Sequence, residues 1–302
     1  MEPTRLRFLF GAPGTYYIDL AREMSKANRK LIKQFQDFTI GGGLIKDSNN
    51  ESVVRMNVAP RAWSTRTALR RGKKMFDQMN AKVIEETHVG QIKPKYHDFK
   101  LLLDQEMGAT NTAVAKDAAG NDLFGGDWDY SRFISEDVDW SNLGTNANRD
   151  ADEFQAMIVG NAHVGAVGNW TKIGLIHSWA GSRPQVDDEP DTISSNITTD
   201  PLVNLFDEAD ADDEILGRLR GDNNQAPYNK ALPPGAERPY SSGTPGVNLQ
   251  RVGFAATQTG AGQISALSGF KALCGLVQVH VTQTTPGQVE LLLDVMPKGE
   301  AI

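Results

Sequence analysis

Cysteine is nearly absent from this chain of 302 residues, in which Cys274 is the only one. A single cysteine excludes an intrachain disulfide and a cysteine-based zinc site. It lies in the apolar run 272–276, where a buried, unreactive thiol is the expected state. The sequence therefore agrees with a protein that is made inside a cell, or one that is indifferent to redox conditions.

Long hydrophobic runs are missing as well. No stretch approaches the ~18 consecutive apolar residues that a membrane-spanning helix needs. Residues 1–5 do not begin the charged-then-apolar pattern of a signal peptide. With 39% hydrophobic and 23% charged residues, the composition instead favours a folded chain with a sizeable core and no membrane segment.

The motifs of common enzyme classes are also lacking. There is no Gly-x-Ser-x-Gly elbow, no phosphate loop of the Walker type, and no dinucleotide-binding Gly-x-Gly-x-x-Gly between a strand and a helix. The five histidines show no metal-ligand spacing. Carboxylates flank tryptophans at 127–129 and 137–140, where solvated loop acids are the simpler interpretation and a glycosidase-like pair is the alternative. The sequence predicts a protein that is not an enzyme.

Acidic residues cluster in 207–214, and the segment is interpreted as a solvated face. It lacks the glycine and the spacing of the twelve-residue calcium loop, so no metal or other cofactor is predicted. The alternative is a Ca²⁺ ion between subunits, held by Asp210, Asp212, Asp213 and Glu214. A similar hint is the short run Asp117, Gly120, Asn121 and Asp122.

What the chain does have is an uneven distribution of charge. Residues 1–100 carry 19 Lys and Arg against 10 Asp and Glu, whereas residues 101–302 carry 12 against 28. The net charge of −7 therefore hides a basic third and an acidic remainder. Such a chain can present opposite potentials on two surfaces.

Strand-like patterns dominate the sequence. Apolar runs bounded by turn residues predict eight strands, and alternation over 5–10 offers a ninth. The eight cover 38–46, 52–59, 96–104, 153–159, 170–179, 247–257, 270–283 and 287–296. The glycine triplet 41–43 lies inside the first of these and indicates a bulge or a close backbone approach.

Apolar spacing of three and four residues predicts amphipathic helices at 15–36 and 63–84 and a short helix at 201–220. Polar insertions cover 105–152 and 180–246. Because no βαβ rhythm and no repeat occur, we predict a mainly β protein with a single domain, 1–302. Its expected architecture is an eight-stranded antiparallel jelly-roll β-sandwich with two or three helices in long insertions.

Basic residues follow helical spacing on the first two predicted helices. Like charges four residues apart repel, and a nearby polyanion relieves that repulsion. Sequence-blind contact with nucleic acid is therefore one interpretation, and a solvated basic face is the other. The candidate residues are Arg5, Arg7, Arg22, Lys26, Arg29, Lys30, Lys33, Arg66, Arg70, Arg71, Lys73 and Lys74.

Five short segments between residues 14 and 104 form a recognisable series. They are Gly-Thr-Tyr-Tyr-Ile-Asp-Leu-Ala at 14–21, Ser-Lys-Ala-Asn-Arg-Lys-Leu at 25–31, Val-Ala-Pro at 58–60, Trp-Ser-Thr-Arg-Thr-Ala at 63–68 and Tyr-His-Asp-Phe-Lys at 96–100. Over roughly 14–104 the chain thus resembles capsid proteins of circular Rep-encoding single-stranded DNA (CRESS-DNA) viruses, in particular the environmental and marine types.

The resemblance implies a viral coat protein with a jelly-roll fold that self-assembles into an icosahedral shell around single-stranded DNA. Its partners would be copies of itself and DNA bound without sequence preference, with the basic helices facing the lumen. It would be found in the virion, after synthesis in the host cytoplasm and with the nucleus as an alternative place of assembly. The chain departs from many such coats because only Arg5 and Arg7 stand where an arginine-rich arm is usual.

Two other functions stay open at this point. One is a carbohydrate-binding or carbohydrate-cleaving jelly roll that uses tryptophans as stacking platforms beside aspartates; the candidates are Trp128, Trp140, Trp170 and Trp179. The other is a protein that binds single-stranded nucleic acid without forming shells.

Overall fold

The computed structural model describes residues 4–47, 52–86, 96–136, 151–161, 164–166, 169–181, 249–257, 264–283 and 287–297, which contain thirteen strands and three helices. In chain order these are β1 Thr4–Phe10, β2 Gly14–Asp19, α1 Leu20–Asn28, β3 Asp37–Asp47, β4 Ser52–Val58, α2 Trp63–Glu86, β5 Arg132–Glu136, β6 Ala151–Met157, β7 Val164–Ala166, β8 Asn169–Gly174, α3 Leu175–Gly181, β9 Gln250–Ala256, β10 Ile264–Leu267, β11 Phe270–Leu273, β12 Leu276–Gln283 and β13 Val289–Pro297.

Apart from residues 180 and 181, the described residues belong to one compact unit, Met1–Trp179 with Tyr240–Ile302. Within those residues, no helix is both long enough and apolar enough to cross a membrane. The protein is mainly β, with antiparallel sheets and few helices, which confirms the predicted class.

Two antiparallel sheets form the larger part of the fold. The first has the order β1-β13-β3-β10, with β11 also pairing with β3, and the second has the order β2-β12-β4-β9. The pairs between early and late strands are nested: β1 with β13, β2 with β12, β3 with β10, and β4 with β9. The first and last strands therefore pair with each other, and, with β11 left aside, each step inward pairs the next strand from either side.

Period-two burial explains why these segments are strands. In β1 the side chains of Leu6, Phe8 and Phe10 are buried, whereas those of Arg5 and Arg7 point away from the core. The strands β4 and β13 alternate in the same way. Both sheets contribute to one hydrophobic cluster, as in a β-sandwich. Burying each large apolar side chain contributes about 1.5–3 kcal/mol.

The glycine triplet confirms the predicted bulge. Asp294 of β13 pairs with Gly42 and Val295 pairs with Ile40, so that Gly41 is left over between them. A Cβ atom on Gly43 would lie 2.5 Å from the carbonyl oxygen of Leu292. The strands therefore approach too closely for any side chain at this point.

A third sheet lies in the long stretch of chain between β4 and β9, with the order β5-β6-β8-β7 and one parallel pair, β6 with β8. Helix α2 packs toward it through an aromatic cluster. The ring centroids of Phe76 and Phe99 are 5.3 Å apart, and those of Phe99 and Phe133 are 6.1 Å apart. This stretch therefore has a small core of its own.

The predicted helix at 15–36 is wrong in most of its length. Residues 14–19 form β2, which pairs with β12, because the β-forming residues Tyr16, Tyr17 and Ile18 gain a partner strand. Helix α1 begins after Asp19, whose side chain caps it by accepting the N–H of Arg22. It ends at Arg29, whose left-handed backbone (φ 50°) stops the helical turn.

Three predicted strands also need correction. Residues 99–104 are buried and 96–98 are more open, and the segment forms no ladder because the N–H of Leu101 donates to the side chain of Gln34 and that of Lys100 donates to Ser131. The segment 170–179 changes from β8 to α3 at Leu175. The segment 270–283 is split into β11 and β12 by Cys274 and Gly275, which both have positive φ.

The other predictions divide as follows. Helix α2 and the strands β3, β4, β6, β9 and β13 lie where the sequence placed them, and β1 is the optional ninth strand. The predicted insertion 105–152 contains β5 and the start of β6. The predicted helix at 201–220, and nearly all of the insertion 180–246, lie outside the described residues.

Candidate nucleic-acid interface

A cleft of about 1070 Å³ lies beside α1. One wall consists of α1 and the residues that follow it, and the opposite wall is the segment 123–128, with Tyr96 and Lys100 completing the lining. Five cations line the cleft against a single carboxylate, that of Asp127. They are Arg22, Lys26, Arg29, Lys30 and Lys100.

Four of these five cations, all except Lys100, belong to the basic stripe that the sequence predicts on its first helix, formed by Arg22, Lys26, Arg29, Lys30 and Lys33. The short helix α1 explains how they meet. At its C-terminal end the N–H of Arg29 donates to the carbonyl of Lys26 at 3.4 Å, and the N–H of Lys30 donates to that of Ser25 at 3.2 Å. This turn leaves the side chains of Arg29 and Lys30 exposed at the negative end of the helix dipole, where cations are favourable.

Arg22 and Lys26 are held differently. Both contact the carboxylate of Glu23, at 2.6 Å and 2.9 Å, and that carboxylate is fully buried. Its second oxygen accepts the N–H of Ala115 at 2.8 Å. One negative charge is thus shared by two cations, and the three groups together carry a net charge of +1 on the α1 wall.

Aromatic rings complete the cleft. The side chain of Phe124 is 96% exposed and that of Tyr96 is 62% exposed. Trp128 is less open, because the Nζ atom of Lys100 lies 4.6 Å from the centroid of its ring. A positively charged groove with accessible aromatic rings is the arrangement with which proteins bind single-stranded nucleic acid.

Hydrogen bonds hold the opposite wall of the cleft, the segment 123–128, at both ends. The N–H of Leu123 donates to the carbonyl of Ala115 at 2.9 Å, and the indole N–H of Trp128 donates to Asp19 at 2.9 Å. The same carboxylate oxygen accepts from Gln34 at 3.1 Å and from Tyr130 at 3.4 Å. Phe124 therefore projects from a segment whose position is fixed before any ligand binds.

Asp19 is unusual among helix-capping residues because its side chain is fully buried. Burial raises its pKa to about 6, although the N–H of Arg22, the guanidinium of Arg22 and the indole of Trp128 all act to lower it. The group is therefore ionised at neutral pH and takes up a proton under mildly acidic conditions.

The other predicted cations lie elsewhere. On β1, Arg5 pairs with Asp294 and Arg7 with Glu290, both at 2.6–2.7 Å. The pairing lowers the pKa of Asp294. Lys33 is exposed beyond α1 but does not line the cleft.

The basic residues of α2 do not line the cleft either. Arg66 lies 3.8 Å from Asp37, a carboxylate that also pairs with Arg61. Lys73 pairs with Asp77 one turn along the helix. The exposed members are Arg70, Arg71 and Lys74.

The calcium candidates Asp210, Asp212, Asp213 and Glu214 lie outside the described residues. In the short run 117–122, Asp117 accepts the N–H of Asn121, which lowers its pKa, and Asp122 pairs with Lys116. Within the described ranges no group of three His, Cys, Asp or Glu residues is arranged to hold a metal ion.

The single cysteine is where the sequence placed it. Cys274 is 1% exposed, and burial raises the pKa of its thiol above the ordinary value. The predicted buried thiol is confirmed.

Sequence reasoning missed three residues of the cleft: Tyr96, Lys100 and Phe124. Tyr96 and Lys100 fell inside a predicted strand, and Phe124 fell inside a polar insertion. The available signal was a phenylalanine directly before Gly125 and Gly126 in a polar insertion, because two glycines supply no side chains to cover its ring.

Comparison with known proteins adds no identification. The chain matches no protein-family model, and neither a curated protein nor a solved structure matches it.

Proposed function

We propose that this chain is the coat protein of a small single-stranded DNA virus, and that its copies assemble into an icosahedral shell around the genome. The observation that carries the proposal is a cleft lined by five cations, in a chain whose strands pair in the nested order of a jelly roll. The large insertion between β4 and β9 supports it.

The two larger sheets support a jelly roll. Leaving β11 aside, their eight strands can be numbered from 1 to 8 along the chain. The sheet orders then read 1-8-3-6 and 2-7-4-5. This is the order obtained when one long antiparallel hairpin, with strand 1 opposite 8 and strand 4 opposite 5, rolls into two facing sheets. Viral coats, lectins and cupins share this architecture, so the topology narrows the function without selecting it.

The placement of the insertion favours a coat. Strands 4 and 5 of that scheme, β4 and β9, are adjacent in the sheet but separated in sequence by residues 59–249. The insertion contains α2, α3 and the third sheet. A large insertion in one loop of a β-sandwich adds surface without disturbing the sheets, and the subunits of a shell need such surface to contact one another.

The cleft favours a nucleic-acid partner. Five of its side chains are cationic in a chain whose net charge is −7. Contacts of this kind neutralise phosphates without reading sequence, as a genome-enclosing shell requires. The proposed DNA-facing residues remain the predicted set, with Arg29 and Lys30 as the most exposed members in the cleft.

The carbohydrate hypothesis gains less support. Trp179 is 9% exposed, and Trp128 has its ring contacted by Lys100 and its N–H donated to Asp19. Neither ring therefore offers an open platform for a sugar, and the candidate Trp140 lies outside the described residues.

Electron microscopy of the purified full chain tests the proposal. Samples should be compared over a range of salt and pH and with and without Ca²⁺, since a cation between acidic surfaces is one route to assembly. We expect closed particles of uniform diameter, and DNA that survives nuclease treatment in particles from expressing cells. Monomers under every condition would overturn the proposal, and small oligomers that bind DNA stoichiometrically would favour the shell-free alternative.

A further inference from the structure

We propose that the cleft beside α1 is a site for unpaired nucleotides, in which a base stacks on Phe124 and the neighbouring phosphates contact Arg29 and Lys30. The choice of DNA as the ligand rests on the proposed function. The mode of binding rests on the geometry of the cleft alone.

Phe124 is the residue that carries the inference. A 96% exposed phenylalanine contributes almost nothing to a hydrophobic core and leaves its ring in water. A ligand with a flat aromatic face removes that ring from water, and bases provide such a face whatever their identity. Gly125 and Gly126 follow it without side chains that could cover the ring, and a Cβ atom on Gly126 would meet nothing within 4 Å.

The cations lie where a strand stacked on Phe124 needs them. Arg29 and Lys30 are exposed, and no described residue forms an ion pair with either of them. Arg22 and Lys26 are only partly neutralised by Glu23. The residues that line the cleft, five cations and the carboxylate of Asp127, carry a net charge of +4, with the buried Glu23 behind them not counted. Phosphates entering the cleft would release their counterions.

Shape and rigidity select a single strand. The volume of about 1070 Å³ reaches the upper end of the range for small-molecule clefts, roughly 300–1,000 Å³. A nucleotide therefore fits, whereas a duplex buries its base faces in its own stack. Because Leu123 and Trp128 fasten the wall on both sides of Phe124, little ordering is needed on binding.

The test measures binding of fluorescently labelled strands to the unassembled full chain by anisotropy. The probes are a thymidine 20-mer, a 20-mer of the same charge that lacks bases, and a duplex of the same length. The variants are Phe124→Ala and the double variant Arg29→Gln with Lys30→Gln. The matched controls are Phe254→Ala, which removes another exposed ring (58% exposed), and Lys46→Gln, which removes another exposed lysine, both outside the cleft.

We expect Phe124→Ala to weaken binding of the thymidine strand by about 5- to 150-fold, as the loss of one stacked base predicts. The baseless strand and the duplex should bind this variant as they bind the parent chain. The double variant should reduce the slope of log K against log salt concentration by about 1.4, since each phosphate contact on a single strand contributes about 0.7. Both control variants should bind like the parent chain.

Equal binding of the thymidine strand and the baseless strand by the parent chain would overturn the inference, as would an unchanged affinity in Phe124→Ala. Particle formation is scored separately, by the electron microscopy described above, on the same protein preparations. Shells without this DNA preference would contradict the cleft and leave the coat proposal standing, whereas the DNA preference without shells would contradict the coat proposal alone.

Discussion

The indole N–H of Trp128 donates a 2.9 Å hydrogen bond to Oδ2 of Asp19, the residue that caps α1. One buried carboxylate therefore starts the helix on one side of the cleft and holds the segment on the other side. Any change in its charge acts on both walls. The stability of the protein should accordingly depend on the ionisation of this one group.

The first prediction concerns pH. Burial raises the pKa of Asp19 to about 6, so between about pH 4 and pH 6 the folded chain keeps a proton that the unfolded chain has released. Rising pH then weakens folding through this group, by about 3 kcal/mol for a shift of about two pKa units. Asp19→Asn removes the titration and keeps a side chain suited to capping. The measured quantity is the unfolding free energy of the parent chain minus that of this variant, obtained by urea denaturation. We expect this difference to fall by about 3 kcal/mol between pH 4 and pH 7.

Asp117 provides the control for this experiment because its pKa is lowered by the N–H of Asn121. The contribution of Asp117 to folding stability has the opposite sign. Its ionised carboxylate stabilises the folded chain at higher pH, and this stabilisation is lost as the pH falls through the lowered pKa. Asp117→Asn should therefore cost more at pH 7 than at pH 3. A parent-minus-variant difference for Asp19→Asn that stays flat with pH would contradict the assigned role.

The second prediction concerns a buried polar cluster between β2 and β12. The hydroxyl of Tyr17 donates to Asp104 at 2.8 Å and accepts from Gln278 at 3.0 Å. Tyr17→Phe leaves the amide and the carboxylate with one partner fewer in a buried setting, which costs about 1–3 kcal/mol. Thermal and urea unfolding should both detect the loss. The neighbouring Tyr16→Phe, whose hydroxyl donates to Ala12 at an exposed position, should change stability by less than about 0.5 kcal/mol.

The third prediction concerns the step between β11 and β12. Gly275 has φ +65°, and a Cβ atom there would lie 2.9 Å from the ring of Phe38. Gly275→Ala combines left-handed backbone strain with a clash against a buried ring, and each effect costs about 1–3 kcal/mol. We expect a loss of at least about 2 kcal/mol in unfolding free energy. Gly11→Ala is the control, because an added Cβ atom meets nothing within 4 Å at this exposed position; an equal loss in both variants would contradict the packing argument.

The fourth prediction concerns Glu23. Its buried carboxylate compensates Arg22 and Lys26, whose side chains are only 16% and 13% exposed. Glu23→Gln removes the carboxylate that pairs with these two poorly solvated cations, and breaking a buried pair in this way costs about 3–5 kcal/mol. Urea denaturation at neutral pH measures the change.

A matched exposed pair separates burial from charge alone. Arg132 and Glu153 are 58% and 51% exposed and lie 3.1 Å apart. Glu153→Gln should cost less than about 1 kcal/mol. A similar cost for both variants would show that the burial of Glu23 does not matter.

Much of the β framework could be predicted because period-two burial is a local property of the chain. The alternation of Leu6, Phe8 and Phe10 with two arginines defines β1, and the triplet 41–43 signals the bulge in β3. Local periodicity failed at 14–19, where Tyr17 continues the helical spacing of Leu20 and Met24. A partner strand more than 250 residues away decided that segment.

The candidate site, too, could be predicted from the sequence only in part. The spacing of Arg22, Lys26, Arg29 and Lys30 predicts the right stretch of the chain as a basic surface, but as a stripe on a long helix. The structure replaces that stripe with a short helix and a turn, and it adds a second wall that comes from about a hundred residues further along.

The sequence by itself determined the mainly β class, the second helix, the bulge and the excess of positive charge near the first helix, because each depends on residues close together in the chain. Only the tertiary structure decided which cations are neutralised by Glu23, that Asp19 joins two walls of one cleft, and that the exposed Phe124 lines the same cleft as Arg29. These are properties of distant residues brought into contact, and the long-range strand pairs that create those contacts leave no trace in local spacing.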